Sequence, residues 1–314
     1  MKYNRLAESN WLAAELHLHT KHSDGHSSLM EMAQAAKNNG ISVIALTDHN
    51  TISGHEEIDE VYNSTGIYII KGIEHTTFFG HVLNFPLREY IDWRQLNRFN
   101  LSTLLDKAHA QKAIVGLAHP FRFGGVICTG CHMDYEVDYN KIDYIEVWSR
   151  EFPSVSAYEN EPTFTFWDSL LNKGYRIMGL SGRDWHHIPD TENLPLSRTF
   201  IRFDEKPNID NVGDLAAYAI KKGQVSVSMA HCIDARYKNG EMTVSLLDFG
   251  FYDVSKLFIR LMSNCGELLK TEISEYKPLV YKVDPTAVWI RAELHGHICE
   301  EEAMIGFSNP CWIK

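Results

Sequence analysis

Short apolar runs alternate with amphipathic stretches over roughly the first two thirds of the chain. The runs at 41–46, 66–73, 81–85, 113–118, 142–148 and 175–180 are rich in Ile, Val and Leu, and their length suits buried strands. The stretch before them, 15–19, alternates in a way that fits one more strand. Between strands, Leu29, Met32, Ala33 and Ala36 recur at helical spacing. Ser28 and Glu31 read as a capping box ahead of that helix, and Gly40 stands where a glycine closes it. Further helices are expected over 52–63, 101–112, 164–172 and 210–222, and a strand over 198–203. Strand followed by helix, repeated, predicts an α/β barrel. The alternation stops at Val225. Beyond it come short β-rich segments without helical spacing, so residues 1–225 are assigned to the barrel and 226–314 to a small antiparallel β module.

The polar residues that end these runs are of one chemical kind. His17 and His19 close the first strand, Asp48 and His49 the second, Glu74 the third, His119 the fifth, and Asp184 and His186 the seventh. Residues two apart on a strand share a face, so His17 and His19 can reach one ion, and Asp184 and His186 repeat that spacing. Asp24 sits at the tip of a Ser23-Asp24-Gly25 loop and His81 opens the strand after Glu74. A single histidine at a strand end is usually a hydrogen-bonded structural residue. Repetition over successive strands is different, because a barrel brings all carboxyl ends to one rim. Imidazole with carboxylate is the ligand mixture of hydrolytic Zn, Mn and Fe sites.

Charge narrows the function classes. The 314 residues carry a net charge of −11, with 44% hydrophobic residues and 16 histidines. An acidic surface without basic runs argues against a polymeric nucleic-acid partner and so against a nuclease. A small anionic substrate stays compatible, since cations supply local positive charge. The chain starts without a signal-peptide pattern and has no run long enough to span a membrane. Six scattered cysteines fit a reducing cytoplasm. Arg122, Arg150, Arg183 and Arg198 fall at strand ends or loops of the same rim and are candidates for clamping a substrate anion.

With HLHTKHSDG at 17–25, LTDHN at 46–50, GIE at 72–74, AHP at 118–120 and GRDWH at 182–186, the chain resembles the PHP (polymerase and histidinol phosphatase) superfamily of metallohydrolases over about 14–205. IEVWSREF at 145–152, the run 166–182 and FSNPCWI at 307–313 resemble, more narrowly, its CehA/McbA-like branch, named for a carbamate hydrolase. The resemblance implies a distorted, TIM-like (β/α)7 barrel and a centre of two or three divalent cations. His17, His19, Glu74 and Asp184 would hold one; Glu74, His81 and His119 a second; Asp24, His49 and His186 a third. Asp48 would orient its neighbours. Glu74, Asp184 and His186 would stand closest to the reacting atoms. The expected reaction is hydrolysis of a small phosphate ester by a hydroxide bridging the metals. Three cations against three carboxylates and one hydroxide leave a formal surplus of two positive charges, which suits a phosphate; two cations leave none, which suits a neutral carbamate, ester or amide. A third reading, from another class, is a non-catalytic metal-binding accessory module. His75 should face away from Glu74 by strand alternation. Cys128 and Cys131 form a lone CxxC, a weak zinc signal, and His295 with His297 reads as a packing or surface pair.

Overall fold

The computed structural model describes residues 9–123, 132–150, 157–188, 196–247, 257–273, 277–298 and 301–314. The first part runs β1 (Trp11–Leu18), α1 (Leu29–Asn38), β2 (Val43–Leu46), α2 (Ile58–Thr65), β3 (Tyr68–Lys71), β4 (Ile73–Thr77), β5 (Gly80–Phe85), α3 (Ser102–Ala110), β6 (Ile114–Leu117), β7 (Tyr144–Ser149), α4 (Ala157–Asn172), β8 (Met178–Gly182), β9 (Arg198–Arg202) and α5 (Val212–Lys221). The rest is β10 (Val225–Ser228), β11 (Cys232–Lys238), β12 (Glu241–Leu247), β13 (Leu257–Ser263), β14 (Gly266–Ile273), β15 (Leu279–Lys282), β16 (Trp289–Ile298), β17 (Glu301–Ser308) and β18 (Cys311–Trp312).

Local chemistry sets the helix that follows the first strand. The Ser28 hydroxyl accepts from the Glu31 N–H at 3.3 Å, and the Ser28 N–H donates to Glu31 Oε2 at 2.7 Å. At the other end, Gly40 N–H donates to Lys37 and Ile41 N–H to Ala36, a Schellman closure that needs the left-handed φ of 69° at Gly40. Leu29, Met32, Ala33 and Ala36 are buried against Ile44 and Leu46 of β2. The helix expected at 52–63 begins instead as a 3-10 turn, Ser53–Glu57, before α2.

Among the described residues the fold is mixed α/β, and the strand ladders by themselves do not close a (β/α)7 ring. The run 66–73 splits at Gly72 into β3 and β4. β3 stays beside β2, whereas β4 pairs antiparallel with β5 through a short turn that leaves no room for a crossover helix. One sheet therefore reads β4-β5-β6-β7-β8, parallel only from β6 to β8. The other reads β14-β13-β16-β17-β10-β9-β1-β2-β3, with β18 on β16. The two meet at isolated bridges, Leu18 to Trp185 and His49 to Glu74, and these bridges lie where the polar strand ends gather. Ala14, Leu16, Val43, Ala45, Leu83, Tyr144 and Leu180 fill the space between the sheets, closed below by Val212, Ala216 and Ile220 of α5.

The region from 226 onward is antiparallel, as the sequence suggests, and β11-β12-β15 adds a third sheet. The boundary at 225/226 runs through β10, which pairs with β9 on one side and β17 on the other. Buried Arg291 of β16 bonds Glu293 and reaches Asp168 of α4, so the two parts share packing as well as a sheet.

Candidate metal centre

The site begins with an irregularity in β1. Glu15 pairs with Ile44 and Leu18 with Leu46, three steps on β1 against two on β2. The extra residue is a β-bulge, a device that re-aims side chains. Ala14 and Leu16 pack between the sheets, while Leu18 packs behind with α1. After the bulge, His17 and His19 both turn inward, and both are fully buried.

All nine residues expected as ligands come together there. Their ligand atoms fall into overlapping groups: His17, His19, Glu74 and Asp184; Glu74, His81 and His119; His19, Asp24, His49 and His186. Glu74 of β4 is the hub. Its Oε2 lies 3.3 Å from His17 Nε2, 3.4 Å from His19 Nε2 and 2.7 Å from His49 Nδ1. Its Oε1 lies 3.0 Å from His81 Nδ1 and 3.5 Å from His119 Nε2. Asp184 Oδ1 lies 3.2 Å from His17 Nε2 and 2.9 Å from His19 Nε2. Asp24 Oδ1 faces His49 Nε2 at 3.4 Å and His186 Nε2 at 3.2 Å. The first two groups are almost entirely buried; Asp24 has 58% of its side chain exposed, so the third group opens to solvent.

Charge explains how so many polar groups stay buried. Burial would raise the Glu74 and Asp184 carboxyls, but the surrounding imidazoles outweigh it and hold both well below the usual range. Burial would likewise lower His49, yet Glu74 and Asp24 raise it to about 10. His17 is raised despite its burial, by Glu146, Glu74 and Asp184. His119 goes the other way, to about 4, through burial and the nearby Arg122. His17 Nε2, His19 Nε2, Glu74 Oε2, His81 Nε2 and Asp184 Oδ1 are buried without a hydrogen-bond partner. Unpaired buried nitrogens and carboxylate oxygens converging on shared points fit divalent cations, whose binding replaces protons. Strain concentrates at the same place. His119 and Asp184 have positive φ values of 29° and 54°, conformations that cost about 1–3 kcal/mol each.

The supporting residues sort clearly. Asp48 accepts from Thr20 N–H, Thr20 Oγ1 and Ser23 Oγ at 2.6–2.7 Å, which fixes the loop carrying Asp24. His75 faces away, as alternation requires: its Nε2 meets the Ile91 carbonyl at 3.1 Å, and burial lowers its pKa to about 4. The four arginines divide. Arg122 donates to Asp184 Oδ2, and to Ser149 Oγ at 2.6 Å. Arg150 is exposed at the end of β7. Arg183 and Arg198, expected on the rim, are buried behind β1 instead. Glu15 points outward ahead of the bulge and pairs with Arg183, which stacks 3.9 Å from the Trp185 ring. Arg198 donates to the carbonyls of Leu196 and Asn39. Neither guanidinium faces the centre. Cys128 and Cys131 lie outside the described residues, and no possible metal group among the described residues includes His295 or His297.

Glu146 was not anticipated. Its carboxylate is 2% exposed, with Oε1 2.7 Å from His17 Nδ1 and Oε2 accepting the His119 N–H at 3.0 Å. The signal was the second of two acids in the run 142–148, set between Ile145 and Val147 at its apolar centre, since a buried carboxylate needs partners.

Residues 15–160 match the family model of the PHP domain. An uncharacterized protein of Methanocaldococcus jannaschii is 28% identical over 121 residues, 35% of this chain and 68% of that protein. A 5'-3' exoribonuclease of Haemophilus influenzae is 40% identical over 63 residues, 20% of this chain and only 23% of its own length. Among solved structures, a two-domain protein of Bacteroides vulgatus, described as containing a predicted PHP-like metal-dependent phosphoesterase, superposes with a TM-score of 0.58 at 14% identity. That match covers 99% of this chain and 98% of the other, and it shows a shared fold across both parts. No helix among the described residues is long and apolar enough to cross a membrane.

Proposed function

We propose that this chain is a metal-dependent hydrolase acting on a small phosphate ester. The observation that carries it is the pairing of a buried, carboxylate-bridged histidine cluster with one guanidinium, Arg122, bonded to Asp184. The PHP-domain match and the phosphoesterase description of the Bacteroides protein support the same reading.

His17, His19, Glu74 and Asp184 would hold one cation, Glu74, His81 and His119 a second, and Asp24, His49 and His186 a third. When bound, such cations supply Lewis acidity and bring the pKa of water toward ~7. The chain's own residues do the rest. Glu74 offers one oxygen to each buried group and keeps the two in register. Arg122 donates to an anionic oxygen of the ester, and its bond to Ser149 holds the guanidinium in place. Asp184 lies between His17, His19 and Arg122, next to the reacting phosphorus in this proposal. The Asp24, His49 and His186 side, being open, admits the substrate. The apolar residues packed between the sheets exclude water from below.

A metal-loaded preparation assayed against phosphate monoesters and diesters, with aryl carbamates and carboxylic esters alongside, tests the proposal. Turnover of phosphate esters that stops on chelation supports it. Turnover of neutral esters alone would transfer the assignment to the carbamate-hydrolase type of the CehA/McbA-like branch. A sample that neither retains nor responds to metal would favour a non-catalytic module.

A further inference from the structure

We propose that Glu146 is a positioning residue that holds one ligand of each buried metal group at once; the inference rests on the metal-dependent reading above. His17 groups with His19, Glu74 and Asp184, and His119 with Glu74 and His81, while a further group joins His17 and His119 through Glu146 itself. Glu146 touches both, through a different oxygen for each. Oε1 lies 2.7 Å from His17 Nδ1, and Oε2 accepts the backbone N–H of His119 at 3.0 Å.

The consequences differ for the two ligands. A carboxylate on Nδ1 makes that nitrogen the proton carrier, so Nε2 presents its lone pair to the point shared with Glu74 and Asp184. At His119 the bond is to the backbone of a residue strained at a φ of 29°, and it helps fix the angle at which the ring leaves β6. The two rings lie near parallel, 18° apart with centroids at 5.7 Å, with Glu146 joining their bases. Glu74 thus links the groups from within the centre and Glu146 from behind it.

β8 is shaped around this carboxylate. A Cβ on Gly182 would lie 1.8 Å from Glu146 Oε1 and 2.8 Å from the His17 Cβ, so only a glycine leaves the slot open. That closeness supplies a second way to disturb Glu146 without mutating it. Glu146→Gln keeps the volume but replaces one accepting oxygen by an amide NH2 donor and removes the charge. Gly182→Ala keeps the carboxylate and crowds its Oε1 together with the His17 Cβ.

The test is titration of the metal-free wild type, Glu146→Gln and Gly182→Ala with Mn²⁺ by calorimetry. Metal content after dialysis, the visible spectrum of the Co²⁺-loaded protein, and thermal melting without metal complete it. Both variants should bind Mn²⁺ ~10–100-fold more weakly, lose ions from the two buried groups together, and shift the Co²⁺ bands. If both bind Mn²⁺ like the wild type and only melt earlier, Glu146 is a structural strut and the inference is overturned. Should Glu146→Gln fail to fold, Glu146→Asp, which keeps the charge and shortens the reach to His17 Nδ1 and the His119 N–H, decides in its place. A wild type that takes up no metal would remove the metal-dependent reading itself, which is a distinct result.

Discussion

Arg122→Met offers the sharpest separation of substrate classes. Methionine keeps much of the length of the side chain and removes its charge and donors. In the structure the guanidinium spans Asp184 Oδ2 and Ser149 Oγ, with 12% of the side chain exposed, so it acts where water screens little. A hydrogen bond to a charged group contributes about 1.5–3 kcal/mol, which corresponds to about 10–150-fold in kcat/KM for a phosphate ester. The assay compares p-nitrophenyl phosphate with p-nitrophenyl acetate on the Mn²⁺-loaded wild type and variant, with bound metal measured in both. The expected outcome is a loss of that size on the phosphate, mainly through KM, with the acetate rate and metal content unchanged. An equal loss on both esters would mean that Arg122 supports Asp184 rather than the substrate. No loss on the phosphate would refute the clamp altogether.

Other outcomes follow from the same geometry. Glu74→Gln should lower retained metal more than any other single ligand change, with affinity falling by more than ~100-fold, because it removes the carboxylate common to both buried groups; elemental analysis after dialysis showing wild-type content would contradict that. Metal uptake should weaken as pH falls, since His17 and His49 are proton-bearing in the metal-free chain, with His49 at about 10. The sign is that each ion entering displaces protons; calorimetry in two buffers of different ionisation enthalpy should show net release, and pH-independent binding would count against the ligand set. Burial raises the Cys311 thiol to about 11, so its alkylation should speed up about tenfold per pH unit between 7 and 10. Peptide mass spectrometry at pH 8 should find exposed Cys265 modified well ahead of Cys311, and equal labelling would show that Cys311 is not shielded.

Much of the centre was legible because ligands at the ends of strands keep their spacing whatever the sheet does. His17 with His19 and Asp184 with His186 follow from a two-residue repeat, and Glu74 and His119 from the ends of apolar runs. The sheet arrangement was harder. A run such as 66–73 looks like one buried strand, and only the tertiary pairing of 73–77 with 80–85 shows that Gly72 hands the chain from one sheet to the other. The same limit hid the bulge in β1. Strict alternation would have put Glu15 on the face of His17, and so left no reason to expect Arg183 and Arg198 behind the sheet with it. Glu146 was readable in principle as an acid in an apolar run, but its partners, His17 and His119, are 129 and 27 residues away, and no local pattern connects them.

The most direct test is a crystal structure of protein grown with Mn²⁺ or Zn²⁺, with anomalous scattering recorded across the metal edge. At least two peaks are predicted, on either side of the Glu74 carboxylate, one reached by His17, His19 and Asp184 and one by His81 and His119. Peaks confined to the surface, or a single ion that leaves Glu74 untouched, would contradict the shared-carboxylate centre on which the proposed hydrolysis depends.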